Sequence, residues 1–492
     1  MRFFVFYTLV GALFFGCARI PKKDLQARLS PPLSIDRTKE IALAEGDFEP
    51  GEWPGHNWWF MFEDPQLTLL IVRVLENNPN MGIASMRAKV ALQEAYIVRS
   101  ALFPQLTSGA EVNWEHLSSQ NLYRFPPSRI PPNIYQLALG LELNYDFDIW
   151  GKNKQRYQAA LGEARASVAE AAMTKLSLST AAARGYFSLQ TEIEKEKVLR
   201  RRAQAEKDLL YLVEKRFEHG LTNELKVKEQ KTRVYQTDQE LVANTERIAL
   251  GKNFLRALMG DSPDSDEEML TPQARYTGKF PLPERLSLDL IARRPDVTAR
   301  VWQVEKAAHL IGAAKALFYP DLNLLAAGGF SSLSWNMFFN KSSLAGQLNP
   351  AIHLPIFLGG KLRANLDARV AEFEEMVYEY NHTLLVAAEE VADSITNVQS
   401  ASQRLKDQVQ VVDEIAGIYD LSFANYKSGL DSRIQLLERE VAYLDAQMKQ
   451  YEIEGERLIQ ITGLIKALGG GYEDHCNKQA EWEEDARSAC GK

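Results

Sequence analysis

Residues 361–427 read KLRANLDARVAEFEEMVYEYNHTLLVAAEEVADSITNVQSASQRLKDQVQVVDEIAGIYDLSFANYK. Apolar side chains recur in this stretch every seven residues, at positions 370, 377, 384, 391, 398, 405, 412, 419 and 426. A seven-residue period of this length predicts one helix that packs against other helices from end to end. With a rise of ~1.5 Å per residue the helix reaches roughly 100 Å, several times the size of a compact domain. A partner helix is expected over residues 431–468, after a turn at Gly429.

The composition is that of an ordinary globular protein. Of the 492 residues, 46% are hydrophobic and 25% are charged, which excludes the disordered and collagen-like classes. The net charge of -8 is small for this length and argues against nucleic acid as a partner. The seven histidines never fall at metal-ligand spacings, and the sequence has no phosphate-binding or hydrolase motif. We therefore expect no enzyme activity, no metal and no cofactor.

Residues 1–16 are predicted to be a signal peptide. Arg2 precedes a mostly apolar, uncharged run over residues 3–15, which is too short to span a bilayer. Cys17 follows a glycine and resembles the cysteine of the bacterial lipobox, which is lipidated and becomes the first residue. By the same resemblance, Ala18 in place of aspartate implies sorting to the outer membrane. The alternative is an ordinary signal peptide followed by an incidental cysteine.

The other two cysteines, Cys476 and Cys490, lie in a polar C-terminal tail. In an oxidising periplasm they are able to pair and close a short loop. Two free thiols are equally consistent with the sequence.

The chain is an internal duplication. Pro104 ends a helical segment of the first half, and Pro320 ends a matching segment 216 residues later. Lys152 and Lys361, at the starts of the long helices, stand 209 residues apart, and the turn glycines that follow keep this spacing. The long helices therefore have equal lengths in both halves. Only the segment between proline and lysine differs, by seven residues.

The segment that differs has a period of two. Apolar residues alternate with polar or small ones over residues 106–114 and 135–147, and again over 322–330 and 344–356. Such alternation predicts strands with one apolar and one polar face. Each half then contributes one hairpin, over 105–147 and 321–357. Strands of ~10 to 13 residues are long enough to cross a bilayer at a tilt. Ordinary strands of a soluble sheet are the alternative.

Four membrane strands cannot close a barrel on their own. Open edges are not tolerated in lipid, because each unpaired peptide group costs several kcal/mol. Two copies would give eight strands with a filled interior, whereas three copies give twelve strands and room for a lumen. The sequence therefore predicts a homotrimeric pore.

Six motifs occur in order between residues 53 and 472. They are Trp58-Trp59-Phe60, Asp64-Pro65-Gln66-Leu67, Arg293-Arg294-Pro295-Asp296, Leu354-Pro355-Ile356-Phe357, Glu389-Glu390-Val391-Ala392-Asp393 and Lys466-Ala467-Leu468-Gly469-Gly470-Gly471-Tyr472. Together they resemble the TolC-type outer membrane factors, specifically the efflux lipoprotein branch of OprM and NodT relatives. The resemblance implies an all-α dominated chain with membrane β-strands. It also implies a trimeric twelve-stranded outer-membrane β-barrel, a long periplasmic α-helical barrel and a mixed α/β equatorial belt.

The expected segments follow from the repeats and the resemblance. They are a signal peptide (1–16), a lipidated extended leader (17–60), a first repeat (61–260) with long helices 152–218 and 222–259, an equatorial linker (261–283), a second repeat (284–469) with long helices 361–427 and 431–468, and a polar tail (470–492).

The resemblance also implies a gate, because carboxylates, a tyrosine and an arginine close the periplasmic end of the helices in this family. The matching positions here are Tyr426, Asp431, Arg433, Gln435 and Glu438. Glu438 stands where the family has an aspartate, so three copies would form an acidic ring. Asp431 and Gln435 depart from the arginine and the second aspartate of other members, and Arg433 stands two residues beyond. The alternative is that Glu438 lies on an ordinary solvated helix face.

Two turns resemble the tips that family members present to a periplasmic adaptor. They are Gly220-Leu221-Thr222 and Gly429-Leu430-Asp431. Turn glycines of this kind end any helical hairpin, so the turns alone do not identify a docking site.

The predicted function is a passive export channel that spans the outer membrane and the periplasm in a tripartite efflux system. The expected partners are two sister copies, outer-membrane lipids, a periplasmic membrane-fusion adaptor and an inner-membrane efflux transporter of the RND type. Two alternatives stay open. One is the same duct serving type I protein or peptide secretion, and the other is a lipid-anchored periplasmic coiled-coil scaffold without a pore.

Overall fold

The computed structural model describes residues 20–21, 25–120, 130–264 and 272–473. Cys17, Cys476 and Cys490 lie outside these residues. Within them, the helices are α1 (Asp36–Glu45), α2 (Pro65–Asn77), α3 (Pro79–Ser100), α4 (Lys152–Glu218), α5 (Glu224–Met259), α6 (Leu286–Arg293), α7 (Pro295–Ala316), α8 (Lys361–Lys427) and α9 (Arg433–Ala467). The strands are β1 (Phe48–Gly51), β2 (Gln105–His116), β3 (Asn133–Phe147), β4 (Phe280–Pro283), β5 (Asp321–Ser332) and β6 (Leu344–His353).

The two longest helices, α4 and α8, have the bounds that the sequence predicts. Each has 67 residues. Helices α5 and α9 begin two residues later than predicted, because Asn223 and Ser432 act as N-caps in extended backbone. Their side chains accept hydrogen bonds from the backbone N–H groups of Lys226 and Gln435, at 3.1 and 3.3 Å. Helix α9 also ends one residue early, at Ala467.

The N-terminal leader differs from the prediction, because its described part is not wholly extended. It contains α1, a short 3-10 helix over Trp58–Phe62, and β1, which pairs in parallel with β4. Phe48 faces Phe280 in this two-stranded sheet, with ring centroids 6.4 Å apart. Helix α1 buries one residue, Ala42, so it lacks the apolar stripe that reveals a helix in sequence.

The chain folds as two compact units. Unit 1 comprises the described residues of 1–29, 89–166 and 301–379, and unit 2 those of 30–88, 167–300 and 380–492. Helices α3, α4, α7 and α8 contribute residues to both units.

Unit 1 contains an antiparallel sheet in the order β2-β3-β5-β6. Its register is given by the pairs Gln105–Asn144 between β2 and β3, Leu139–Phe330 between β3 and β5, and Asp321–His353 between β5 and β6. Leu106, Val112 and Trp114 of β2 and Leu348 and Ile352 of β6 are exposed. They fall on the apolar face that the period-two alternation predicts. Strands β2 and β6 are the two edges of this sheet.

The helical part of unit 1 has its own small core. Ala314 and Phe318 pack against Leu366 of α8, and Ile20 lies beside them. The guanidinium of Arg165 lies 4.5 Å from the ring of Trp302, which joins α4 to α7. Helix α7 therefore contacts both α4 and α8 within this unit.

Unit 2 is built on the long helices. Val198 and Leu199 of α4 pack against Leu444 and Met448 of α9. Farther along α4, Leu209 packs against Leu437.

The seven-residue stripe of α8 is buried in its middle and open at its end. Val391 and Val398 are almost fully buried, whereas Tyr426 is 38% exposed.

Across the described ranges, no helix combines the length and the apolar character that a membrane-spanning helix requires.

Candidate functional site

The turns that join the long helices of unit 2 share one geometry. Gly220 and Gly429 have φ angles of 71° and 76°, in the left-handed region that glycine adopts without strain. The N–H of Leu221 donates to the carbonyl of Arg216 at 2.8 Å, and the N–H of Leu430 donates to the carbonyl of Asn425 at 2.9 Å. These bonds cap the last carbonyls of α4 and α8. As a result, Leu221 and Leu430 stand exposed at the turns.

The structure brings two of the predicted gate residues together. The guanidinium carbon of Arg433 lies 5.8 Å from the centroid of the Tyr426 ring. Asp431 instead accepts a hydrogen bond of 3.0 Å from the hydroxyl of Ser422 on α8. The contact between Arg433 and Tyr426 therefore links α8 to α9 across the turn.

The other two predicted gate residues lie apart from this contact. The Gln435 amide oxygen accepts the N–H of Ser432 at 2.8 Å, so this side chain is part of the capping box of α9. Glu438 is exposed, and the residues that the structure describes give it neither a hydrogen bond nor an ion pair. Its carboxylate is thus available to face an aqueous space.

Away from the turns, charged side chains join α4 to α5 and α9. Lys195 is buried and its Nζ lies 2.7 Å from Glu452 of α9. Burial alone raises the pKa of Glu452, but the hydrogen bonds and charges of Lys195 and Lys449 lower the pKa further, so that it falls below its usual value. Sequence reasoning missed this pair, because its members are 257 residues apart.

A second charged contact lies two turns along α9. Arg202 of α4 lies 3.0 Å from Asp445 of α9 and 2.9 Å from Glu240 of α5. Burial raises the pKa of Asp445; Arg202 opposes the rise, and Glu240 and Glu206 add to it. Arg202 therefore connects three helices, and the carboxylate of Asp445 is partly dehydrated.

Two of the sequence motifs hold buried polar networks in unit 2. The hydroxyl of Tyr186 donates to Asp64 at 2.7 Å, and the backbone N–H of Gln273 donates to the same oxygen. Burial, and then the hydrogen bond to Asp64, raise the pKa of Tyr186, so this hydroxyl stays protonated. Asp64 also caps α2 through the N–H of Gln66.

Arg294 organises the second network. It is 4% exposed and donates to Asp296, to Glu390 of α8, and to the carbonyl of Ala467. Burial lowers the pKa of Arg294, but the two carboxylates raise it by more, so the ion pairs persist. Arg294 thereby ties the start of α7 to α8 and to the end of α9.

In unit 1, a lysine bridges β3 and β5 through two ion pairs. The Nζ of Lys152 lies 2.8 Å from Asp146 and 2.7 Å from Asp321. Beside it, the indole N–H of Trp150 donates to the carbonyl of Pro320 at 2.8 Å. The first and second repeats are thus joined by ion pairs where their strands meet.

The described residues contain no group of three or more His, Cys, Asp or Glu side chains arranged to hold a metal ion.

Comparison with known proteins decides the family. The model of the outer membrane efflux protein family matches residues 70–261 and 286–470, most of the chain and one range in each repeat. The chain belongs to the outer membrane efflux protein family. The resemblance drawn from the motifs is confirmed, and with it the outer-membrane location and the role in efflux.

Relatives of this outer membrane efflux protein match over nearly their whole length. The multidrug resistance outer membrane protein MdtP of Escherichia coli strain K12 is 29% identical over 465 residues, which cover 93% of this chain and 94% of that protein. The crystal structure of the outer membrane protein VceC from Vibrio cholerae is 31% identical, with a TM-score of 0.74, and covers 86% of this chain and 100% of its own. The CmeC outer membrane channel of Campylobacter jejuni has the same fold, with a TM-score of 0.81 at 20% identity over 96% of this chain and 97% of its own.

Proposed function

We propose that this outer membrane efflux protein is a passive multidrug export channel, formed when three copies close their sheets into one twelve-stranded barrel. The observation that carries the proposal is the sheet of unit 1. It has two free edges, β2 and β6, and an exposed apolar face that includes Leu106 and Leu348. An apolar face with unpaired edges is stable in lipid only if the edges pair with other strands.

The lengths of the strands support a membrane location for the sheet. The four strands have 12, 15, 12 and 10 residues. A tilted membrane strand needs ~9–11 residues. Their polar face, which includes Thr107, Glu142, Gln347 and Asn349, suits a water-filled lumen. Three copies rather than two leave such a lumen open.

The long helices support the periplasmic part of the proposal. Each copy contributes α4, α5, α8 and α9, which continue the pore as a helical barrel with a mixed belt around it. Tyr426, Arg433 and Glu438 form the gate at the far end. The exposed turns at Leu221 and Leu430 dock a periplasmic adaptor, which in turn binds an inner-membrane transporter of the RND type.

The class of cargo is inferred from the relatives. MdtP is named a multidrug resistance protein, and the proposed cargo is accordingly a range of small drugs. Lipidation of Cys17 anchors the N-terminus of the channel to the outer membrane. A periplasmic scaffold without a pore is less consistent with the structure, because it leaves the exposed apolar face of the sheet without a purpose.

The test is ion conduction. Protein extracted in detergent and added to a planar lipid bilayer is expected to give discrete, long-lived conductance steps, and the conducting species should be an oligomer that heat dissociates. A preparation that inserts no channels, while it remains folded by circular dichroism, would contradict the proposal. The matched control is a variant with Leu348→Asp and Ile352→Asp, which places charge on the apolar face of β6 and should prevent insertion.

A further inference from the structure

The sheet contains one joint between the two repeats, and a closed ring needs a second joint of the same kind. Within the chain, β3 of the first repeat pairs with β5 of the second. Between copies, β6 of the second repeat would pair with β2 of the first repeat of the next copy. Strand β6 is the repeat equivalent of β3, and β2 is the repeat equivalent of β5. The joint inside the chain is therefore a template for the joint between chains.

The two hairpins show how closely the repeats correspond. Adding 216 to a residue number in β2 and 209 to a number in β3 gives its equivalent in the second repeat. This operation converts the pair Gln105–Asn144 into Asp321–His353, and it converts Ala110–Leu139 into Ala326–Leu348. Each of these four pairs is present in the sheet. The repeats are thus equivalent residue by residue, with no slip in register.

The same operation, applied to the joint between β3 and β5, gives the joint between copies. Adding 209 to Leu139 and subtracting 216 from its partner Phe330 gives Leu348 and Trp114. We infer that Leu348 of one copy lies opposite Trp114 of the next, and that this antiparallel register runs over residues 346–353 and 109–116. This inference rests on the proposed trimer and adds to it the register, which the number of copies alone does not fix.

The alternation of side chains provides an independent check. In the inferred register Leu348, Pro350 and Ile352 face Trp114, Val112 and Ala110, so that the apolar faces coincide. On the other face Gln347 and Asn349 lie opposite Glu115 and Asn113. A slip of one residue would place every apolar side chain against a polar one. A slip of two residues would keep apolar side chains opposite apolar ones, so alternation alone does not select between such registers. The register of β3 with β5 selects the pair Leu348–Trp114.

The inferred register also accounts for an exposed side chain beyond the end of β6. Ile356 is 80% exposed. The template pair Phe147–Leu322 places Ile356 opposite Leu106 of the next copy. Strand β6 is therefore expected to lengthen by a few residues in the ring, to match the 15 residues of β3.

One element of the template is missing from the joint between copies. Lys152 binds Asp146 and Asp321 at the joint inside the chain. The equivalents of these three residues are Lys361, Pro355 and Gln105 of the next copy. The joint between copies thus has the lysine but neither carboxylate, and so lacks these ion pairs.

Disulfide trapping tests the register. Residues directly opposite in an antiparallel pair have Cα atoms ~4.5–5.5 Å apart, within the ~4.4–6.8 Å that a disulfide allows. In a chain whose two tail cysteines are replaced by serine, Ala351→Cys with Glu111→Cys should form covalent dimers and trimers on oxidation. The controls combine Ala351→Cys with Gly109→Cys or with Asn113→Cys, each two residues out of register. The linked fraction should be at least about fivefold higher for the inferred pair, because the control distances exceed the disulfide range.

The outcomes separate this inference from the proposed function. If a control pair links best while the channels conduct as trimers, the register is wrong and the export channel stands. If no pair links and no conducting oligomer forms, both proposals fail.

A gain in stability provides the second test. Gln105→Asp restores the equivalent of Asp321 beside Lys361 of the neighbouring copy whose β6 pairs with this β2. We expect the trimer to dissociate in detergent at a temperature a few degrees higher. The double variant Gln105→Asp with Lys361→Gln also lacks the Gln105 hydrogen bonds to Ser100 and Phe103, but it cannot form the new ion pair. Its dissociation temperature should therefore show no gain. Equal dissociation temperatures for the single and double variants would contradict the register.

Discussion

The guanidinium carbon of Arg433 lies 5.8 Å from the centroid of the Tyr426 ring and joins the end of α8 to the start of α9. A cation over an aromatic ring at an exposed site contributes ~0.5–1 kcal/mol. The contact uses the ring and not the hydroxyl. It therefore links the two helices through Arg433. The presence of aspartate at position 431 in the sequence does not reveal this link.

This contact predicts which substitutions loosen the proposed gate. Tyr426→Ala should raise the ratio of open to closed time of single channels by about 2- to 5-fold, because it removes the contact. Tyr426→Phe keeps the ring and should behave as the unmodified protein. Single-channel recording in planar bilayers measures the ratio. If the phenylalanine variant opens as readily as the alanine variant, the hydroxyl and not the ring closes the gate.

The exposed carboxylate of Glu438 predicts the ion preference of the channel. A ring of three carboxylates at a constriction attracts cations and repels anions. Glu438→Gln should lower the ratio of cation to anion permeability, measured from the reversal potential in a salt gradient, whereas Glu438→Asp should preserve it. An unchanged reversal potential in the glutamine variant would remove Glu438 from the constriction.

The two turn glycines predict a loss of docking without a loss of assembly. Valine at position 220 or 429 must adopt the left-handed region, at a cost of ~1–2 kcal/mol per turn, and so distorts the turn. The double variant Gly220→Val with Gly429→Val should no longer cross-link to the adaptor but should still form the trimer. Gly417→Val is the control, because Gly417 is exposed on α8 and nothing lies within 4 Å of its added Cβ. Cross-linking that survives in the double variant would place the docking surface elsewhere.

Two carboxylates of α9 predict opposite effects of pH. The pKa of Glu452 is lowered from 4.5, so its pairing with Lys195 stabilises the fold above that value and is lost as the pH falls through the lowered pKa. Glu452→Gln should therefore lower the apparent melting temperature at pH 7, by an amount equivalent to about 1 kcal/mol, because Glu452 is partly exposed. The difference should disappear in acid.

Asp445 is the matched comparison. Its pKa is raised from 3.8, chiefly by burial, so the ionised form costs stability above the raised pKa and this cost vanishes below 3.8. Asp445→Asn should accordingly melt at a higher temperature than the unmodified protein at pH 7, with Arg202 still paired to Glu240. Melting curves by circular dichroism over a range of pH measure both variants. Shifts of the same sign would contradict the two opposite pKa changes.

Much of the fold was predictable because its elements are long. The seven-residue period links nine positions in α8. The spacing of 209 residues between the repeats then predicts the equivalent helix, α4. The four strands of the sheet follow from alternation over nine or more residues. In contrast, α1 buries only Ala42 and β1 has four residues, so neither produces a recognisable pattern.

The candidate site was predictable in its positions but not in its contacts. The resemblance selected the candidate gate residues, yet the pairing of Arg433 with Tyr426 depends on the geometry of the turn. The role of Gln435 had a local signal, because Ser432 and Gln435 have the spacing of a capping box. The bond between Tyr186 and Asp64 had none, because 122 residues separate them. Such contacts arise from packing, and no local period encodes them.

The central claim is that sister copies close the sheet of this chain into one pore. Native mass spectrometry of the protein released from detergent micelles measures the number of copies directly. The account predicts a species of three chains that survives until the detergent or heat disrupts the sheet. A predominant single chain, stable and folded in water without detergent, would contradict it.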